Sequence, residues 1–423
     1  MHDPSTIFAL SSGQPPAGIA VVRISGPSAS DVLRRLAGDL PEPRRAGLRR
    51  LRDGDGQPLD DALILWCPGP KTVTGEDLAE LHLHGGRAVV AAVLAELGRQ
   101  PGCRPAQAGE FTRRAFEHGR MDLAEAEGLA DLLAAETEVQ RQSALALAEG
   151  GLGVLVADWE RRLLQASAEI EALLDFADEG DVADAGHDPS RLSALVADVT
   201  AQLSTPPAER LRDGVRVVFA GPPNSGKSSL FNYLVGREAA IVTPVAGTTR
   251  DRIEAPVAMD GLPMVLIDTA GLRATTTDAI EALGIVRSGE AMAEADILLW
   301  LGPAAEAPAG AVLIASRADI DPAGRPGLAV SVTTGAGLPA LRALLIETAR
   351  SLLPRPGALA LNARHRAVLT AMRACLEEAV ATPDLLIRAE LCRQARSHLD
   401  ALTGRAGVES MLDALFGTFC IGK

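Results

Sequence analysis

Nine consecutive residues, Gly221-Pro222-Pro223-Asn224-Ser225-Gly226-Lys227-Ser228-Ser229, spell G-x-x-x-x-G-K-S, and the apolar run Val215 to Ala220 leads directly into them. A strand followed by such a loop is the context that a phosphate-binding loop requires. Gly221 and Gly226 let the backbone fold tightly enough to aim several N–H groups at one point, and the helix expected next adds its positive N-terminus. Lys227 supplies a mobile cation for β- and γ-phosphates, and Ser228 a hydroxyl for Mg²⁺. The plainer reading, a glycine-rich turn between strand and helix, is outweighed by the strand before the loop and the apolar Leu230, Phe231 and Leu234 after it.

Downstream, Asp268-Thr269-Ala270-Gly271 closes the apolar run Met264 to Ile267. An aspartate at the C-terminal edge of a strand can hold Mg²⁺ through water, and Gly271 can bring its N–H to a γ-phosphate. Between these motifs, Gly247-Thr248-Thr249-Arg250-Asp251 fits a switch loop in which Thr249 completes the metal shell when γ-phosphate is present. This is the order of motifs found in GTPases. Base recognition is expected after the run Ala311 to Ala315, where Ser316-Arg317-Ala318-Asp319 stands in place of the usual Asn-Lys-x-Asp. Asp319 can accept from the guanine N1 and N2 hydrogens, and the Arg317 stem can cover the base. Ser331-Val332 takes the place of the Ser-Ala usual in the next base-contacting loop.

A chain of 423 residues is long enough for two or three domains with separate cores. Its net charge of −14 argues against a broadly basic nucleic-acid binder, and the local cluster Arg44, Arg45, Arg49, Arg50 and Arg52 reads as solvated surface. Cys67, Cys103, Cys375, Cys392 and Cys420 form no C-x-x-C pair, so neither a disulfide framework nor a zinc site is expected, and a reducing cytoplasm fits. No apolar run approaches the roughly 18 residues needed to span a bilayer. The final Cys420-Ile421-Gly422-Lys423 formally matches C-a-a-X, but Gly and Lys at its last two places exclude prenylation.

Residues 1–118 mix strand-like runs at Ile19 to Ile24, Ala62 to Trp66 and Leu78 to His84 with a helical run at Ala88 to Leu97. From Leu123 the apolar spacing becomes helical, through Leu133 and again from Leu155 to Leu174. A polar stretch from Asp178 to Pro189 interrupts it, and a further helix runs from Ser190 to Leu203. Residues 214–350 alternate strand and helix signals, as in a doubly wound sheet. Asp260-Gly261 predicts an antiparallel hairpin of Arg252 to Met259 with Leu262 to Ile267. Helical patterning returns after Pro354 and Pro356. The fold expected is multidomain α/β plus α: an N-terminal α/β domain (1–118), a helical domain in two parts (119–210 and 357–423), and a Ras-like P-loop domain inserted between them (211–356).

Motifs on both sides of the phosphate loop make the chain resemble the MnmE (TrmE) family of tRNA-modifying GTPases over essentially its full length. They are Gly18 to Gly26 (GIAVVRISG), Thr74 to Asp77 (TGED), His84 to Gly86 (HGG), Gly109 to Phe116 (GEFTRRAF), Met121 to Glu127 (MDLAEAE) and Phe419 to Lys423 (FCIGK). The resemblance implies an N-terminal domain that dimerises and binds a tetrahydrofolate derivative, 5,10-methylene or 5-formyl, through Arg23, Glu80, Arg120 and Lys423. It implies K⁺ held by Asn224, Thr243, Val245 and Thr248, a cation that can neutralise β,γ-bridging charge in place of an arginine finger. Glu281 matches the family's water-orienting glutamate, and Lys227 and Thr249 belong to the same catalytic set. Cys420 matches a cysteine near the folate, with a buried small hydrophobe as the alternative. The implied activity is K⁺-stimulated, Mg²⁺-dependent GTP hydrolysis by a cytoplasmic homodimer. Together with an FAD-binding MnmG partner, in a heterotetramer or larger complex, it modifies C5 of the wobble uridine of certain tRNAs. The chain lacks a dinucleotide fingerprint of its own, so FAD is expected on the partner. Two other readings are a ribosome-assembly switch, which a basic RNA-binding appendage would favour, and a folate-binding module with a decayed GTPase domain. His82 and His84 alternate on one strand like a metal pair, with no third ligand evident.

Overall fold

The computed structural model describes residues 5–175, 189–238, 254–269, 289–320, 326–404, 409–417 and 419–422. The chain divides into two compact units, Met1–Ala130 with Asp400–Lys423, and Asp131–Leu399.

The first unit is built on a six-stranded sheet of β1 (Thr6–Leu10), β2 (Ile19–Ser25), β3 (Ala46–Arg52), β4 (Pro58–Cys67), β5 (Leu78–His84) and β6 (Cys103–Pro105), in the order β3-β4-β5-β2-β1-β6. All neighbours are antiparallel except β1 and β6. Alternation along β2 sends Ala20, Val22 and Ile24 into the core, where α1 (Ala29–Ala37) contributes Val32, Leu33 and Leu36 and α2 (Arg87–Arg99) contributes Val90, Val93 and Leu97. The other parity of β2, including Arg23, lies on the opposite face. There α3 (Glu110–Glu117) places Phe111 against Ile7 and Ala9. A second cluster joins Leu123 and Ala126 of α4 (Leu123–Ala134) to Leu412, Phe416 and Phe419. The C-terminal motif ends against β1: Ile421 bridges Ala108, and the Ser11 hydroxyl donates to the Gly422 carbonyl. Gly422 has φ +102°, and a side chain there would strike the Leu10 carbonyl.

Two of the shared motifs meet in a buried ion ladder. Arg114, its side chain 6% exposed, donates to Glu76 at 3.0 Å and to Glu110 at 3.2 Å, and Arg104 closes on Glu110 at 2.6 Å. The Ser25 hydroxyl donates to Glu76 and shares a hydrogen with Thr74, and the Gln107 N–H donates to Glu110. Burial pushes the Glu110 carboxyl up, but the hydrogen bonds from Arg104 and Gln107 and the two positive charges outweigh it and hold it below the usual range.

The second unit opens with helices: α5 (Glu138–Ala148), α6 (Gly151–Asp175), α7 (Ser190–Leu203) and α8 (Ala208–Asp213). A capping box between Thr137 and Gln140 starts α5, and the Gln140 amide also donates to the Leu211 carbonyl at the end of α8. The sheet that follows comprises β7 (Val215–Ala220), β8 (Glu254–Met259), β9 (Leu262–Asp268), β10 (Ile297–Trp300), β11 (Val312–Ser316) and β12 (Leu328–Val330), ordered β12-β11-β10-β7-β9-β8. It is parallel throughout except for the hairpin β8–β9, as Asp260-Gly261 predicts; both turn residues have positive φ, 53° and 76°. Leu230 and Phe231 of α9 (Lys227–Glu238) and Leu341 and Leu345 of α10 (Leu338–Leu352) fill its core. Two further helices, α11 (Ala363–Ala381) and α12 (Leu385–Thr403), follow, and α13 (Glu409–Gly417) belongs to the first unit. The segments leading into and out of this sheet run side by side: Ala208 N–H donates to Leu361, Ala363 N–H to Glu209, and Arg366 to the carbonyls of Leu203 and Thr205. No helix among the described residues is long and apolar enough to cross a membrane.

Because its native pKa is lowered, Glu110 stabilises the fold fully above the ordinary carboxylate range and loses that contribution as pH falls through the lowered value. Glu110→Gln is expected to cost about 3 kcal/mol at neutral pH, the cost of breaking a buried pair. The gap from wild type should narrow on acidification below about pH 4. Thermal or urea melts of both proteins across pH measure it, and a gap that widens in acid contradicts this account of the ladder.

Candidate functional site

β7 lies between β9 and β10, so the loop leaving its C-terminal end enters the crevice where neighbouring strands diverge, the place where open α/β sheets bind ligands. Gly221 (φ +140°) passes so close to Leu301 that a Cβ would sit 3.0 Å from its backbone, and Asn224 (φ +59°) and Gly226 (φ +96°) turn the chain through the left-handed region. The loop delivers its N–H groups to the first turn of α9. Lys227, only 6% exposed, arches back over the loop and donates through Nζ to the carbonyls of Gly221 (3.0 Å) and Pro222 (2.8 Å).

These residues line an open cleft of about 340 Å³ bounded by Asn224, Ser225, Gly226, Lys227, Ser228 and Ser229 on one side and Thr269 and Arg317 on the other. The Ser225 Oγ is buried without a protein hydrogen-bond partner, a polar atom whose burial a ligand would compensate. Asp268 ends β9 directly opposite Phe219, buried, and the Thr269 hydroxyl donates to the Phe219 carbonyl at 2.8 Å. Among the described residues no cluster of three or more His, Cys, Asp or Glu could hold a metal. Of the described residues, Ser228 and Asp268 carry the oxygens that could join water and nucleotide phosphates around Mg²⁺.

The base loop is tied to the phosphate loop. The Ser316 hydroxyl donates to the Ser225 carbonyl, and a Cβ on Gly226 would lie 3.4 Å from that of Ser316. Arg317 (φ +58°) reaches the cleft. Asp319 is exposed on the turn just beyond it and does not line the cleft. Ser331 is fully buried, its Oγ accepting from the Thr334 N–H within its own turn. Thr243, Val245, Thr248, Thr249, Ala270, Gly271, Glu281 and Lys423 lie outside the described residues.

A second constellation sits on the first unit's sheet, on the face away from α1 and α2. Arg23 and Glu80 are cross-strand partners, and Arg23 donates to Glu80 Oε1 through Nε (3.1 Å) and Nη2 (2.9 Å). The guanidinium carbon stands 5.8 Å from the Phe111 ring centroid. Arg120 donates to the Thr72 carbonyl, and Gly75 (φ +82°) packs so closely on His118 and Arg120 that no side chain fits there. Cys420 is exposed and all five cysteines are free thiols, as their spacing implies. Sequence reasoning missed the roles of Phe111 under Arg23 and of Thr72 in holding Arg120. The usable signal was opposite charge inside two short motifs, Glu76 in one and Arg114 in the other. The arginine cluster of β3 is largely consumed locally: Arg50 pairs with Asp61, Arg45 with Glu42, and Arg49 and Arg52 bond backbone carbonyls.

Residues 6–120 match the model of the GTP-binding protein TrmE N-terminus and residues 123–420 that of the MnmE helical domain. Curated relatives named tRNA modification GTPase MnmE include those of Rhizorhabdus wittichii (60% identical, covering 99% of this chain and 96% of the relative), Erythrobacter litoralis (57%, covering 99% and 100%) and Zymomonas mobilis (51%, covering 99% and 100%). Among solved structures, the cytosolic domain of the T. maritima FeoB iron transporter in its GMPPNP form covers 45% of this chain and is itself covered to 98%, at 19% identity and a TM-score of 0.24, a likeness too loose to argue from. With relatives this similar over nearly its whole length, and with the phosphate loop and both halves of the surrounding scaffold in place, the chain belongs to the MnmE family of tRNA modification GTPases.

Proposed function

We propose that this GTPase is a K⁺-stimulated, cytoplasmic homodimer that modifies C5 of the wobble uridine of certain tRNAs to a carboxymethylaminomethyl or aminomethyl group. It would use a folate one-carbon unit and an FAD-carrying MnmG partner. The observation that carries the nucleotide half is the cleft over α9, where a buried cation, a left-handed loop and an unsatisfied Ser225 hydroxyl converge at the edge of a parallel sheet. Lys227 and the loop N–H groups would position the phosphates and neutralise charge developing on them. Ser228 and Asp268 would be the protein contacts of Mg²⁺, and Asn224, whose side chain lines the cleft, is the described member of the K⁺ set. A bound K⁺ supplies positive charge where an activating arginine would otherwise be needed. Asp319 would read guanine, with Ser316 bracing its loop.

The folate half is supported by the paired Arg23 and Glu80, which present a cation for ligand carboxylates and an acceptor for an amino-pyrimidine edge over an aromatic floor, with Arg120 a second cation in the same unit. The homodimer is supported by the same sheet face, where Ile19, Leu48 and Leu63 are 62%, 66% and 48% exposed, Leu48 and Leu63 in register with His82 and Ile19 with His84. For the domain plan, we assign residues 1–118 to folate binding and dimerisation, 119–210 and 357–423 to the helical domain, and 211–356 to the inserted GTPase domain. The side-by-side hydrogen bonds of Ala208 with Leu361 and Glu209 with Ala363 favour the insertion.

Steady-state hydrolysis of GTP and ATP, at equal ionic strength in KCl and NaCl, is expected to be GTP-selective and at least about tenfold faster in K⁺. Equal slow rates in both salts would replace the reading with a binding module or a switch needing an outside activator. Asp319→Asn should move preference from GTP toward XTP by about two orders of magnitude. Unchanged GTP selectivity would place the base site elsewhere.

A further inference from the structure

The two oxygens of Glu80 have different company. Oε1 takes both hydrogen bonds from Arg23, whose guanidinium is also seated on Phe111, so that oxygen is committed to the protein. Oε2 faces Nε2 of His82 at 3.3 Å. The register explains the meeting: residues 80 and 82 of β5 share the face that carries Arg23 and Val21 of β2 and Leu63 of β4. His82 is flanked across the strands by Val21 and Leu63, both apolar, and its side chain is 31% exposed against 21% for Glu80. Other charged or titratable groups on this face include Arg23, bound to Glu80; His84, bound to Asp60 at 2.7 Å; Asp61, bound to Arg50; and, beyond Arg23, the ladder of Arg104, Glu110, Arg114 and Glu76, bound to one another. Glu80 is the carboxylate that His82 meets among the described residues.

We propose that His82 is a further binding residue of the folate site, sharing Glu80 Oε2 with the ligand's N–H donors so that the ligand is held firmly only while His82 is neutral. This rests on the folate reading above. Protonated His82 forms an ion pair with Oε2, and a charge-assisted bond is roughly twice as strong as a neutral one. A ligand amine then competes with a fixed cation for the same oxygen. Neutral His82 leaves Oε2 with full acceptor strength and is free to rotate aside. Acid therefore weakens binding through His82.

The test is titration of the full-length protein, without nucleotide, with 5-formyltetrahydrofolate at about pH 8 and about pH 6, the interval in which a histidine changes charge. Wild type is expected to bind about fourfold more weakly at the lower pH. His82→Gln, which keeps a neutral N–H donor, should bind with one affinity at both. A His82→Gln protein that retains the fourfold loss, or a wild type whose affinity does not change, overturns the proposal. If thermal melting shows that His82→Gln is unfolded, His82→Phe gives the same decision, since it too cannot be protonated. Wild type that hydrolyses GTP but binds no folate at either pH sinks the folate reading itself, an outcome separable from failure of the His82 role alone.

Discussion

A domain inserted between two helices must return its chain to the place it left, and in the second unit that condition is met by a short seam of hydrogen bonds. Ala208 pairs with Leu361, Glu209 receives the Ala363 N–H, and Arg366 donates to the carbonyl of Leu203, the last residue of α7, and to that of Thr205 just beyond it. Gln140 adds a clasp from α5 onto the Leu211 carbonyl in α8, shortly before β7 begins. Arg210 pairs with Asp296, whose carboxylate also accepts from the Arg216 N–H, so the seam continues into the first residues of the sheet. β7 is thereby anchored at its N-terminal end, and the phosphate loop at its other end inherits a fixed starting point. The left-handed turns at Asn224 and Gly226 are sustained because the strand before them and the helix after them are both buried.

The first unit solves a different problem, burying charge. Four charged side chains, Glu76, Arg104, Glu110 and Arg114, alternate in sign, and each carboxylate is shared by more than one donor. A single buried pair often returns less than its desolvation costs, whereas a ladder with its lone pairs filled limits that loss and fixes geometry. The geometry matters because Phe111 follows Glu110 in sequence and supports Arg23, while Glu76 belongs to the loop whose Gly75 and Thr72 hold Arg120.

Where motif and periodicity coincided, the sequence was readable residue by residue. β7, the loop and α9 fall where the glycines and the apolar runs put them, and Asp260-Gly261 forms the hairpin turn that its residue types demand. β1 and β6 went unread because β1 is buried on both faces and shows no alternation, and β6 is only three residues long. α3 was hidden because Glu110 and Arg114, polar in any hydropathy scale, face inward. The paired histidines of β5 illustrate the remaining gap. Spacing puts both on one face, but only the side-chain contacts reveal that one meets Glu80 of its own strand and the other Asp60 of β4, in separate pairs.

The segment holding Phe416, Phe419 and Gly422 completes a hydrophobic cluster and a sheet edge whose other members precede residue 131. A ribosome makes those partners long before it makes this segment, and the whole of the second unit is synthesised in between. The earlier unit must wait with Phe116, Leu123 and Ala108 short of their partners, while the later unit is already synthesised. In the order of biosynthesis, then, the nucleotide-binding half can mature first, and the half carrying Arg23 and Glu80 is sealed by a segment made after it.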